Sequence, residues 1–302
     1  MLKFLYRVYF LRFENTKIDS YYKRACVRLL NFILYYYYLI TGNFTNKRKI
    51  ENTKNPELIV SLTSYPSRID KLWMVIETLL DQTYKPDTIM LWLSEDEFSD
   101  RPDLPEKLNK LKTRGLEIHY CQKNLMPHKK YLYTMQEYPD SIVITVDDDM
   151  LFHPRLIENL LDCHKKYPQA ICCSILRKIK TENGKILPYS EWEPLHKNTS
   201  PDFLNHVMGG GGTLFPAGSL HQEVFNEELI EDLALRTDDM WLKAMSLKKN
   251  TKVASIAGEY ERYFIPIIHK GDKPLMDSNL PGNKNDINFA KILEQCDVDV
   301  KI

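Results

Sequence analysis

A repeated alternation of short apolar runs and amphipathic segments constrains the fold of this chain more than any other feature. Apolar runs rich in β-branched residues predict strands at residues 58–62, 88–93, 116–120 and 141–146. Apolar residues at helical spacing predict the intervening helices, at 70–82, 104–114 and 129–138. Strands that alternate with helices in this way form a parallel sheet covered by helices. The sequence therefore predicts an α/β fold that binds ligands at the carboxyl ends of its strands.

Beyond residue 149 the pattern is less regular. We expect helices at 154–166, near 216–225 and at 238–249, strands at 170–176 and 252–257, and a polar excursion at 181–205. A chain of 302 residues is long enough for one large α/β domain or two small ones. We assign residues 57–290 to one domain, residues 1–50 to an N-terminal arm and residues 291–302 to a C-terminal tail.

Three consecutive carboxylates, Asp147, Asp148 and Asp149, follow directly after the apolar run that ends at Val146. Like charges this close repel and raise each other's pKa, unless a cation neutralises them. A hard divalent cation such as Mg²⁺ or Mn²⁺ prefers carboxylate oxygens and keeps positions for water and substrate phosphates. The alternative is a solvated acidic turn or a helix cap. The position at the end of a buried strand favours the metal site.

The N-terminal arm differs from the rest of the chain in charge and in aromatic content. Residues 1–50 contain ten Lys or Arg and two acids, for a net charge of +8, so the neutral chain carries −8 elsewhere. The longest apolar run, Leu29–Ile40, is interrupted by Asn31 and is shorter than the ~20 residues that span a bilayer. Basic and aromatic helices of this kind either lie in an anionic membrane interface or pack on the body of the same protein, and both alternatives stay open.

Charge and cysteine spacing restrict the class of partner and the compartment. The acidic body is a poor polyanion binder, so we do not expect nucleic acid as a partner. None of the six cysteines forms a C-x-x-C pair, so we expect free buried thiols in a reducing compartment. The predicted location is cytoplasmic, and peripheral attachment to the inner face of the plasma membrane is one of the two alternatives for the arm.

Four ordered segments carry a family resemblance: Ser61–Ile69, Asn124–Tyr131, Thr145–Asp149 and Asp238–Leu242. Together they resemble the bacterial polysaccharide glycosyltransferases of the GT-A fold, family 2-like, over about residues 57–290. The Asp triplet matches the D-x-D motif of that group. The resemblance implies a Mn²⁺ or Mg²⁺ cofactor that bridges the diphosphate of a nucleotide sugar. Asp147, Asp149 and the late His269 are the implied metal ligands, although a lone histidine is also a common structural residue.

The resemblance also implies a set of nucleotide-sugar-binding residues. Tyr65 and Arg68 suit stacking on a base and contact with phosphate, or are a turn residue and a surface charge. Lys129 and Lys130 can balance the diphosphate or begin a solvated helix. The full set consists of Thr63, Tyr65, Arg68, Glu95, Asp96, Lys129, Lys130, Asp147, Asp148, Gly210, Gly211 and Lys273.

Catalysis is assigned to the acids that begin the predicted helix at 238–249. The resemblance implies that Asp239 is the general base of an inverting reaction and that Asp238 binds the acceptor. A helix N-cap is the structural alternative for both residues. Gly209–Gly212 lacks the Gly-Lys-Ser/Thr of a phosphate loop, and its glycines permit close backbone approach to a ligand.

The predicted function is transfer of a sugar, expected to be UDP-linked, to a saccharide or lipid-linked saccharide acceptor in surface polysaccharide biosynthesis. One alternative is a sugar nucleotidyltransferase, although Thr63–Arg68 lacks the Gly-rich loop of that class. The other alternative is a non-catalytic, membrane-associated carbohydrate-binding protein, against which the intact acids argue.

Overall fold

The computed structural model of the chain describes residues 2–10, 16–42, 49–51, 53–99, 103–195, 197–256, 263–269 and 284–300. The α-helices within these ranges are α1 (Leu2–Tyr9), α2 (Thr16–Thr41), α3 (Ile69–Leu80), α4 (Glu95–Phe98), α5 (Glu106–Lys110), α6 (Lys129–Glu137), α7 (Leu156–Lys166), α8 (Glu227–Leu229), α9 (Asp238–Lys248) and α10 (Lys284–Gln295). Five 3₁₀ segments and one π-helical turn complete the helical elements of the described residues. The 3₁₀ segments are Leu111–Arg114, Met126–His128, Tyr189–Glu191, Gly209–Gly211 and Gln222–Phe225, and the π-helical turn is Ile230–Ala234.

The strands of the described residues are β1 (Leu58–Thr63), β2 (Thr88–Ser94), β3 (Leu116–Cys121), β4 (Ile142–Thr145), β5 (Met150–Phe152), β6 (Ile171–Cys173), β7 (Leu176–Lys178), β8 (Thr181–Glu182), β9 (Lys185–Ile186), β10 (Glu193–Leu195), β11 (Asn198–Asp202), β12 (Asn205–Val207), β13 (Thr213–Phe215), β14 (Val253–Ile256) and β15 (Phe264–Pro266). Eight of them form the central sheet, in the order β11-β14-β6-β13-β4-β1-β2-β3. The alternating pattern of the first 150 residues is thereby confirmed as a mostly parallel α/β sheet.

Two strands of this sheet run against the others. β13 pairs antiparallel with both β4 and β6, and β11 pairs antiparallel with β14, whereas β3, β2, β1 and β4 pair in parallel. Thr213, the first residue of β13, is paired with Thr145, the last residue of β4. The chain that precedes β13 therefore lies at the carboxyl edge of its parallel neighbours, beside the residues that follow β4.

The core divides between the two faces of the sheet because successive strand side chains point in opposite directions. Leu58 and Val60 belong to the largest buried cluster, whereas Ile59, between them, packs in a separate cluster. Helices α3 and α7 contribute buried residues to the first of these clusters, and α6 contacts β1, β2 and β4. The central strands are thus covered by helices, as near-continuous apolar runs require.

The N-terminal helices pack on the body through one face. Tyr6 and Tyr9 of α1, and Leu30, Leu34 and Tyr38 of α2, belong to the largest core cluster. The hydroxyl of Tyr6 donates a hydrogen bond to the carbonyl of Leu151, at 2.8 Å. No helix in the described part of the chain is long and apolar enough to cross a membrane.

The sequence-based boundaries differ from the structure in several places. The strand expected at 170–176 is divided between β6 and β7, which belong to different sheets. α10 crosses the boundary at 290/291, with the buried residues Phe289 and Ile292 on either side of it. The helix expected near 216–225 is limited to a 3₁₀ turn at Gln222–Phe225, because the chain turns first at Gly218, whose φ is +65°. The expected polar excursion at 181–205 contains five short strands or parts of strands, and it buries Trp192.

Candidate active site

An arginine from the loop after β1 reaches the acids that follow β4. Arg68 donates through Nη1 to Asp148 Oδ1 at 2.8 Å and to Asp149 Oδ2 at 2.9 Å. Ser64 donates its hydroxyl proton to Asp148 Oδ2 at 2.6 Å. The Arg68 guanidinium also lies 5.1 Å from the centre of the Tyr65 ring. The register of β1 with β4 explains this contact, since neighbouring parallel strands end at the same edge.

The carboxylates of this turn are held in a poorly solvated environment. Burial raises the pKa of Asp148, and the Arg68 guanidinium opposes that rise. Burial and then the charge of Asp147 raise the pKa of Asp149, again against the effect of Arg68. Among the described residues, the second oxygen of Asp149, Oδ1, is buried and has no hydrogen-bond partner. One arginine therefore does not compensate all the negative charge of this turn.

A buried lysine joins the acids after β4 to the acids that begin α9. Lys130 Nζ lies 2.8 Å from Asp147 Oδ1 and 2.8 Å from Asp238 Oδ2. Burial by itself would lower the pKa of Lys130, but the charges of Asp147, Asp238 and Asp239 outweigh it, and the pKa is raised well above its usual value. The lysine is therefore a permanent cation at the centre of the cluster.

The two acids at the start of α9 have opposite pKa shifts. Burial tends to raise the pKa of Asp238, but Lys130 and His128 outweigh it, so that this pKa is lowered. For Asp239, burial and the charge of Asp238 raise the pKa, against the opposing effect of Lys130. A pair of carboxyl groups whose pKa values are separated in this way can divide the roles of fixed anion and proton acceptor.

The glycine loop before β13 lies in direct contact with both acid groups. The backbone N–H of Gly209 donates to Asp239 Oδ1 at 2.8 Å, and that of Asp147 donates to the Gly210 carbonyl at 3.3 Å. A Cβ at Gly209 would lie 2.6 Å from Asp239 Oδ1, and one at Gly210 would lie 2.3 Å from Asp147 Oδ2. A larger residue at either position would therefore displace one of the two carboxylates or the loop itself.

Comparison with known proteins decides the family. The sequence model described as "Glycosyl transferase family 2" matches residues 63–221, which contain the loop after β1, the acid triplet and the glycine loop. This chain belongs to glycosyltransferase family 2. No curated protein sequence matches this family 2 chain at a significant level.

Solved structures of S. aureus TarS, residues 1–349, resemble this family 2 glycosyltransferase in fold. The structure in complex with UDP-GlcNAc has a TM-score of 0.50 and 11% identity, over 81% of this chain and 68% of that chain. The complex with UDP has a TM-score of 0.47 and 13% identity, over 79% and 71%. A third structure gives 0.43 and 13%, over 70% of this chain and 60% of the TarS chain, which is less than two thirds of its length. The GT-A fold prediction is confirmed.

Several predicted donor residues have other partners in the family 2 glycosyltransferase. Lys129 Nζ donates to Glu97 Oε2 and to Asn124 Oδ1, both at 2.8 Å, and is buried. The Thr63 hydroxyl donates to the carbonyl of Trp92 at 2.8 Å and so joins β1 to β2. The structure therefore does not place Lys129 beside the acids that follow β4 or those that begin α9.

Other site predictions are only partly located. Glu95 and Asp96 are exposed on α4, and Gly211 accepts a hydrogen bond from Ser174 Oγ at 2.6 Å through its carbonyl. Lys273 lies outside the described residues. Sequence reasoning missed Ser64, although a hydroxyl directly after a buried strand is a signal that could have pointed to it.

The residues of the acid turn, Asp147–Asp149, fit a divalent cation in part. The buried, unpaired Asp149 Oδ1 and the raised pKa of that carboxyl are what a hard cation would relieve. Within the described residues, however, no three His, Cys, Asp or Glu side chains are grouped so as to hold a metal ion. Asp149 would be the ligand, with Asp147 beside it, and water and phosphate oxygens would complete the shell, as is common for Mg²⁺. The assignment of Asp147, Asp149 and His269 as a ligand set stays a prediction.

Proposed function

We propose that this family 2 glycosyltransferase moves a sugar from a UDP-linked donor to the hydroxyl of a saccharide or lipid-linked saccharide, with inversion at the anomeric carbon. The observation that carries the proposal is that two adjacent glycines contact two different acids. Gly209 contacts Asp239, and Gly210 contacts Asp147, which is also paired with Lys130. The proposed proton acceptor and the proposed donor-binding acid therefore both contact the same backbone segment.

The proposed reaction assigns a proton to Asp239. The acceptor hydroxyl gives its proton to the Asp239 carboxylate while the oxygen forms a bond to the anomeric carbon from the face opposite the leaving group. The bond from the anomeric carbon to the diphosphate oxygen breaks, and its electron pair leaves with the nucleoside diphosphate. The pKa of Asp239, raised by burial and by Asp238, brings a carboxylate closer to the range in which general bases work.

The charge that develops on the leaving diphosphate needs positive partners. Lys130 remains charged beside Asp147, and Arg68 remains charged beside Asp148 and Asp149. A bound Mn²⁺ or Mg²⁺ would supply further charge stabilisation for the diphosphate oxygens. Two features support a UDP donor: the fold resemblance to TarS, whose structures hold UDP-GlcNAc and UDP, and the Tyr65 ring beside the cationic Arg68.

The proposed setting is surface polysaccharide assembly on the inner face of the plasma membrane. The six cysteines are all free and buried, which agrees with a reducing compartment. The family 2 match favours sugar transfer over synthesis of the activated sugar and over carbohydrate binding without catalysis.

A donor-binding assay and a transfer assay together test the proposal. UDP-sugars should raise the thermal unfolding temperature of the chain in the presence of Mn²⁺ and less in EDTA. Asp239→Asn should keep this stabilisation and lose transfer by roughly 10²–10⁴-fold, since it removes a general base. Asp149→Ala should lose the Mn²⁺-dependent part of the stabilisation. Asp162→Asn, which changes an exposed acid of α7, is the matched control and should change neither result.

Two outcomes would contradict the proposal. Transfer that proceeds equally well in Asp239→Asn would exclude this base. A stabilisation by UDP-sugars that neither EDTA nor Asp149→Ala affects would exclude a metal-assisted diphosphate site at the acid turn.

A further inference from the structure

Helix α2 is apolar on two opposite faces. The inner face, Cys26, Leu30, Leu34 and Tyr38, repeats every four residues and is buried against the body. The outer face of α2 consists of Ile18, Tyr21, Leu29, Phe32, Tyr36 and Ile40, whose exposed fractions range from 46% at Tyr36 to 73% at Tyr21. Because a helix turns by about 100° per residue, these six positions lie on the side opposite the inner face.

The outer face of α2 concentrates most of the exposed apolar bulk of the molecule. The described residues include eleven exposed large hydrophobic side chains, and six of them belong to this face. Phe4 of the adjacent helix α1 is a seventh. From Ile18 to Ile40 the face extends over about 33 Å at the rise of an α-helix. A contiguous apolar surface of this kind marks an interaction site, unlike scattered single residues.

The charges next to this face are almost all positive. Lys17, Arg24 and Arg28 are exposed along one flank of the outer face. The one acid of α2, Asp19, is paired with Lys23 at 2.8 Å. The complementary partner is therefore both apolar and anionic, which is the chemistry of the head-group region of an anionic bilayer.

We propose that the outer face of α2 binds an anionic membrane surface, with the helix lying in the plane of the interface. The rings of Tyr21, Phe32 and Tyr36 then lie at the level of the head groups, and Arg24 and Arg28 contact the anionic lipids. The inner face stays buried against the sheet domain, so the membrane-binding helix is a rigid part of the protein. The two alternatives for the arm, membrane binding and packing on the body, thus belong to opposite faces of one helix.

The docked helix is joined to the acid turn by hydrogen bonds. Asn31 donates through Nδ2 to the Pro266 carbonyl at 2.9 Å, and its Oδ1 accepts from the N–H of Ile268 at 3.1 Å. Between these two residues, the N–H of Ile267 donates to the Asp149 carbonyl at 2.7 Å. Membrane binding by α2 would hold the site close to the bilayer, which favours a lipid-linked acceptor. This choice of acceptor class rests on the proposed transferase function, whereas the docking surface does not.

Vesicle flotation tests the docking surface with the full chain. The probes are vesicles of phosphatidylcholine alone and of phosphatidylcholine with phosphatidylglycerol. The native chain should float with the anionic vesicles, and the Leu29→Ser, Phe32→Ser, Tyr36→Ser triple variant should bind them about tenfold or more weakly, since it removes apolar insertion. Arg24→Gln with Arg28→Gln should also weaken binding by about tenfold and reduce its sensitivity to salt.

A matched control removes exposed rings elsewhere. Tyr84→Ser with Tyr120→Ser changes two exposed tyrosines outside α2 and should float as the native chain does. The thermal unfolding transition of each variant reports whether it is folded. Asp149→Ala should also float normally, so that a failure of transfer activity and a failure of docking are distinguishable.

Three results would overturn the proposal. One is a native chain that does not bind anionic vesicles. Another is equal flotation of the folded triple variant and the native chain. The third is a native chain that is dimeric in solution and whose triple variant is monomeric, since a second copy of the chain would then cover the outer face.

Discussion

A methyl group added at Gly209 tests the role of Asp239 without changing any charge. Gly209 does not have a positive φ, so the backbone itself accepts alanine. The new Cβ would lie 2.6 Å from Asp239 Oδ1, whereas ordinary contact begins at 3.4 Å. Either the carboxylate or the loop must therefore move by about 0.8 Å, and the 2.8 Å hydrogen bond between Gly209 and Asp239 is distorted or lost.

The expected kinetic effect follows from the size of this displacement. A misplacement of about 1 Å in a catalytic group costs roughly 10²-fold in rate, equivalent to about 2.7 kcal/mol in the activation barrier. We expect Gly209→Ala to lower kcat by about this factor and to leave the KM for the nucleotide sugar nearly unchanged. The nearest donor-side atom, Lys130 Nζ, lies at an ordinary distance of 3.7 Å from the new Cβ.

The neighbouring glycine gives a contrasting variant. A Cβ at Gly210 lies 2.3 Å from Asp147 Oδ2, so Gly210→Ala displaces an acid assigned to donor binding and should raise the KM for the donor as well as lower kcat. Gly184→Ala, in the β8–β9 turn with a φ of +74° and no atom within 4 Å of the new Cβ, is the control for backbone strain. It should cost about 1 kcal/mol in stability and change neither kinetic constant.

Steady-state transfer kinetics with the preferred UDP-sugar, together with urea unfolding, measure these effects. The reasoning fails if folded Gly209→Ala keeps a kcat within about threefold of the native value, because the base would then tolerate the displacement. It also fails if both variants change kcat and the KM for the donor in the same proportion, since the two glycines would then not affect two different acids.

Three further predictions concern buried charge. Burial lowers the pKa of His206 to about 3, so below about pH 6.5 the imidazole binds a proton in the unfolded chain but not in the folded chain. This difference lowers the free energy of unfolding by roughly 3 kcal/mol between pH 7 and pH 4. His206→Phe should remove that part of the acid dependence, as measured by urea unfolding at several pH values. Arg114→Met leaves the buried Glu77 carboxylate without the guanidinium that contacts both its oxygens, and should lower the free energy of unfolding by about 3–5 kcal/mol, as measured by urea denaturation. Lys130→Met should cost a similar amount at pH 8 and less at pH 5, because Asp238, whose pKa is held down by Lys130, can take up a proton at the lower pH once the lysine is removed. An equal loss at both pH values would exclude Lys130 as the counter-ion of the cluster.

Local sequence patterns predicted the first half of the fold well. Strands β1, β2 and β3 are continuous apolar or alternating runs bounded by turn residues, and their observed limits lie within one residue of those expected. The pattern failed at Thr213–Phe215, which was not predicted as a strand. Three residues are too few for a periodic signal, and β13 owes its conformation to pairing with β4 and β6 on both sides.

The positions of the candidate site residues were predictable where a residue directly follows a strand or begins a helix, and less so where side-chain packing decides the partner. The position of the Asp triplet at a strand end was correct, as was that of Asp239 at a helix start. Lys129 and Lys130 are equivalent in the sequence, yet Lys130 lies among the acids and Lys129 pairs with Glu97. Which of two adjacent lysines faces the site depends on the packing of α6, and no local pattern encodes it.

The antiparallel strand β13 also constrains the order in which the site can form during folding. Residues 213–215 insert between β4, about 70 residues earlier, and β6, about 40 residues earlier, so their pairing closes long loops at an entropic cost. The glycines that contact Asp147 and Asp239 arrive with this strand. We therefore expect that the acid triplet is synthesised before the glycines that contact it, and that the proposed donor site is complete only after β13 has paired with β4 and β6.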